Sequence, residues 1–159
     1  MIGPLVTYLE DHLAVAAYAI DLLGAIRDQH TDEPLGQFAV GMLVEVEADN
    51  GVLKELAEQI GTGSSGLKGL AAWAEKVSRL KLKRGASDGL GTFEALEFLA
   101  LGIQGKLALW RALAVAGPAD ARLNHLDFDH LAARAETQHA QVEERRLEAA
   151  RTVLRPVQE

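Results

Sequence analysis

The chain has 159 residues, no cysteine and a net charge of −7 with pI ≈ 5.2. This excludes disulfides, thiolate metal sites and thiol catalysis, and it argues against general affinity for nucleic acid or an anionic membrane surface. Hydrophobic residues make up 48% but aromatics only 5%, a balance of Leu and Ala over rings that favours helix packed on helix and predicts one all-α domain over 1–159.

The opening Met-Ile-Gly-Pro-Leu lacks the basic start and apolar run of a signal peptide. No stretch of about 18 uninterrupted apolar residues follows, so a cytoplasmic protein without a membrane partner is expected. Leu5, Leu9, Leu13, Ala16, Ile20 and Leu23 recur at helical spacing and predict a first helix over about 5–27, with His12 inside the apolar stripe. A polar turn over 29–33 leads to Pro34, a helix-start signal. The second helix, to about 60, buries Phe38, Met42, Val46, Leu53, Leu56 and Ile60. Asp49 falls in the middle of that stripe and Glu45 one turn earlier on its flank. A buried aspartate needs a facing His, Lys or Arg.

Glycine-rich runs over 61–66 and 85–91 follow no strand, so they read as hinges and not as phosphate-binding loops. Between them, 67–83 predicts a short crossover helix. Residues 67–84 hold six basic side chains against the single acid Glu75, a net of +5 that leaves −12 elsewhere. A third long helix, about 92–116, carries two apolar stripes. One runs through Leu96, Leu99, Ile103, Leu107 and Trp110, and the other through Phe98, Leu101, Leu109 and Ala112 with Gly102 and Gly105 beside it. Two stripes imply two packing surfaces, one for the core and one for the crossover or a second copy, and a homodimer through the second face is expected. The last helix, about 127–154, places Phe128, Leu131, Ala135, Val142, Ala149 and Val153 on one stripe, together with the polar Gln138, His139 and Arg146. It also carries Glu136-Thr-Gln-His139, a Glu-x-x-His pair of the kind that binds metal inside four-helix bundles.

Two antiparallel hairpins joined by a long crossover would place residues whose numbers sum to roughly 63 side by side in the first pair, and to roughly 243 in the second. His12, Asp49, Gln104 or Lys106, and His139 then converge on one polar layer in mid-bundle, and Arg146 lies level with Glu97. The segments Tyr8-Leu-Glu-Asp-His12-Leu-Ala, Gly102-Ile-Gln-Gly-Lys-Leu-Ala-Leu-Trp-Arg111 and 136–151 together resemble an uncharacterised bacterial branch of the ferritin-like proteins. That resemblance implies a ferritin-like four-helix bundle, and it implies no activity.

The dinuclear carboxylate pattern of such bundles wants a Glu from each of two helices and Glu-x-x-His from each of the others. Here the match is partial: His12, Asp49, Glu136 and His139 are the candidate ligands, with Glu45 and Glu97 as outer ones. Lys106 stands near enough to repel a cation. The leading expectation is therefore a non-catalytic binding or structural module with a degenerate metal site and no cofactor. A metal-dependent oxidoreductase or iron-binding protein using iron, manganese or zinc is one alternative, and a carrier of a small apolar ligand is another. Ser64, Ser65, Ser78 and Ser87 lie in or beside the crossover with no base aimed at them, which disfavours a nucleophilic hydrolase.

Overall fold

A computed structural model describes residues 3–61 and 89–158. Those residues form four long α-helices: α1 (Pro4–Gln29), α2 (Pro34–Ile60), α3 (Leu90–Ala116) and α4 (Phe128–Val153), with a single 3-10 turn at Gly117–Ala119. There is no strand among them. The crossover helix expected over 67–83, its basic cluster and the four serines lie outside the described residues.

Local chemistry sets each boundary. Pro4 and Pro34 sit in the first turns of α1 and α2, where a missing N–H costs nothing. Gly61 closes α2 at φ 91°, and its N–H reaches the carbonyls of Ala57 and Glu58. The Asp127 side chain accepts the His130 backbone N–H at 3.0 Å and caps α4. Between α1 and α2 the turn is tight: Asp32 takes φ 63°, and a Cβ on Gly36 would collide with the His30 carbonyl oxygen.

α1 pairs with α2, α3 pairs with α4, and α1 packs on α3. The pairing runs antiparallel between α3 and α4, where Arg146 reaches Glu97 and Lys106 reaches Gln138. It also runs antiparallel between α1 and α3, where His30 meets Thr92 and a Cβ on Gly102 would touch Val15 and Ala19. α2 and α3 are consequently parallel, so the chain leaves α2 and enters α3 at opposite ends of a bundle about 40 Å long.

Two apolar clusters fill the interior, one above the other. At one end are Leu9, Leu13, Leu53, Leu56, Trp110 and Phe128, the last two rings stacked 6.1 Å apart. At the other are Leu22, Leu23, Ile26, Met42, Leu96, Leu99, Ile103 and Val142. Asp49, Lys106 and Gln138 occupy the level between them. α3 is long and apolar enough to cross a membrane by composition, and its stripe from Leu96 through Trp110 is packed among the other helices.

Candidate functional site

The site grows from Asp49. Spacings of three and four from Met42 and Val46 to Leu53 and Leu56 carry α2's buried stripe straight through position 49, so its carboxylate enters the core and is only 2% exposed. Lys106 on α3 and Gln138 on α4 meet it there. Lys106 Nζ donates to Asp49 Oδ2 at 2.8 Å and to Gln138 Oε1 at 2.5 Å, while Gln138 Nε2 donates to the same Asp49 oxygen at 2.9 Å. Each member of this triangle bonds both others. Arg134, one turn before Gln138, donates its Nε to Asp49 Oδ1 at 3.1 Å.

Electrostatics follow from that packing. Burial alone would raise the Asp49 pKa, but the Lys106 ammonium, the hydrogen bonds from Lys106 and Gln138, and the Arg134 guanidinium outweigh it and hold the carboxyl below its ordinary value. Lys106 is pushed below its ordinary value because the water it loses outweighs the pull of Asp49, and Arg134 adds repulsion. A carboxylate flanked by two cations on three helices is an ion-paired clamp.

The residues expected as ligands are dispersed among several neighbourhoods. His12 is half-buried, edge-on to Tyr8 at 4.7 Å between ring centres, and shares the lining of a pocket with Asp49 and Lys106. Burial lowers its pKa, with Asp11 opposing. Glu136 lies instead on the exposed outer face, where Arg111 Nη2 donates to it at 2.6 Å. His139 is half-buried, one turn before Glu143, a carboxyl held below its ordinary value first by its hydrogen bond from Arg146. Glu45 lines a groove between α2 and α4 with Phe38, Met42 and Arg145. Glu97 accepts Arg146 Nη1 at 3.4 Å, and Gln104 is exposed. Among the described residues no group of three or more His, Asp or Glu side chains gathers in a metal-ligating arrangement.

Two features were not legible beforehand. Arg134 reaches Asp49 from a position one third exposed, so no buried stripe announces it; its only signal is the four-residue spacing to Gln138. The second is a pin at the end of the bundle: His30 Nδ1 lies 2.7 Å from Glu33 Oε2 and its Nε2 lies 3.0 Å from Thr92 Oγ1, tying the α1–α2 turn to the first turn of α3. No protein-family model, curated protein or solved structure matches this chain.

Proposed function

We propose that this protein is a ferritin-like bundle serving as a non-catalytic binding or structural module, in which the core carboxylate fixes helix register and does not hold a dinuclear metal centre. The ferritin-like reading is supported by two antiparallel hairpins with parallel middle helices, the arrangement that a long crossover demands. The observation that carries the rest is the engagement of both Asp49 oxygens. Lys106, Gln138 and Arg134 bond its two oxygens, and the Lys106 ammonium supplies the positive charge that a metal ion would bring. A dinuclear site needs several carboxylates free to ligate, and Glu136 and Glu97 are engaged with arginines. Protein purified from cells grown with added iron and manganese should carry far less than one metal per chain by element analysis. Stoichiometric iron, manganese or zinc would overturn the reading.

The proposal includes a homodimer through the outer face of α3. Leu109, expected on that face, is fully buried in the core. The seam runs instead through Leu101, Gly105, Ala108, Ala112 and Val115, with Leu101 60% and Val115 83% exposed. These positions alternate by four and three, the spacing of a helix that accepts another helix. A second copy crossing antiparallel at Ala108 sets Leu101 against Val115 at both ends, with only Gly and Ala at the crossing, so the seam complements itself.

A further inference from the structure

Asp11, Ala14, Tyr18 and Asp21 follow one another at spacings of three and four and make a single row along α1. That row faces outward: Ala14 and Tyr18 stand about 100–180° round the helix from Leu9, Leu13 and Leu23, which enter the core. Both aspartates are exposed, yet Ala14 and Tyr18 between them are buried, at 9% and 8% exposure. Burial also pushes the Tyr18 hydroxyl up to about 12. An outward row with a dry centre has a cover. Phe98 widens the strip on the α3 side: it lies one turn before Gly102, where α3 meets Val15 and Ala19 of α1, and it is 39% exposed.

We infer that the cover is residues 67–84 of the same chain, laid along α1 with an apolar face on Ala14 and Tyr18. Leu70, Trp73, Val77 and Leu80 recur there at helical spacing, and six basic side chains surround them against one acid. An apolar stripe with a basic rim complements a dry row with an acidic rim. Length allows it: 62–88 are 27 residues, about 40 Å as a helix, which is one pass along the bundle from the end of α2 to the start of α3. α1 packs on both of those helices, so a pass over α1 joins them directly. The other route crosses α4, and charge disfavours it. α1 holds four acids against Arg27 alone, a net of −3, and Arg27 is paired with Asp28 at 2.8 Å. α4 holds five acids against four arginines, a net of −1, and two of those arginines, Arg134 and Arg145, line the side toward α2. The inference is independent of whether the bundle holds a metal, and it leaves the outer seam of α3 to a second copy.

The test is NMR of the full-length chain. Ring protons of Tyr18 should show nuclear Overhauser effects to side-chain protons of Leu70, Trp73, Val77 or Leu80, and these should remain within one chain when isotope-labelled and unlabelled protein are mixed. Effects confined to residues of the four helices would overturn the inference, and effects seen only between labelled and unlabelled chains would overturn it in favour of a second copy. A second readout follows the charge: Asp11→Lys combined with Asp21→Lys should speed tryptic cleavage within 67–84 about tenfold, because reversing the rim enlarges the open population. The helical circular dichroism should be unchanged. A folded variant cleaved there at the parent rate counts against the inference.

Discussion

Removing the Asp49 carboxylate leaves Lys106 buried beside Arg134 with no anion among its hydrogen-bond partners, so Asp49→Ala should destabilise the fold by about 3–5 kcal/mol in urea unfolding. Lys106→Met leaves Asp49 with Gln138 and Arg134 and should cost less, about 1–3 kcal/mol. Asp49→Leu combined with Lys106→Met and Gln138→Leu should come back to within about 2 kcal/mol of the parent, because apolar side chains of similar volume replace the whole triangle and no member of it is left buried without a partner. The pH response carries the same signature. Since the folded-state pKa of Asp49 lies below its ordinary 3.8, its stabilisation is fully present above that value and is lost as pH falls through the folded pKa. Asp49→Asn should remove that share of the acid limb. His12 acts at higher pH. Its folded pKa is depressed below 6.5, so its contribution is present above 6.5 and is lost as the pH falls through the folded value. Stability measured at pH 7.5 and 5.5 should therefore drop less in His12→Gln than in the parent chain. At this scale much could be read in advance: Asp49 lay on an apolar stripe, Gln138 on another, and helix counting put Lys106 at their level. Glu136 was found by its spacing to His139, which does not say which side of the helix it takes, and it lies outside the core with a surface residue, Arg111, as its partner.

Among the elements, the α1–α2 turn is the least forgiving. Gly36→Ala forces a methyl into the His30 carbonyl and should cost about 1–3 kcal/mol, or more if α2 must shift. Gly41 and Gly51, exposed on the same helix with open space where a Cβ would go, should each gain about 0.5–1 kcal/mol on substitution by alanine. Thermal melts of the three variants give this contrast directly. The four long helices were legible because periodicity, Pro34, the Gly61 cap and the Gly117-Pro118 stop agree with one another. The His30 pin was not legible, because it joins positions 62 residues apart through a turn whose path only the assembled helices determine.

For the whole molecule, light scattering should report two chains per particle. Leu101→Glu should shift it to one without loss of helix content, since position 101 points away from the core. The proposed pairing through α3 fails if that variant stays dimeric. Topology was accessible from helix counts and connection lengths, whereas the division of charge between the halves needed the side chains in place. Among the described residues, the only acid in the central clamp belongs to α1–α2, and both of its cations belong to α3–α4. Two like first halves pressed face to face would trap carboxylate against carboxylate. Two like second halves would trap ammonium and guanidinium groups with nothing to neutralise them. Only unlike halves cancel, so the interior works as a mating code against first halves of neighbouring nascent chains pairing with one another, at the stage of synthesis when many first halves are present and few second halves have emerged.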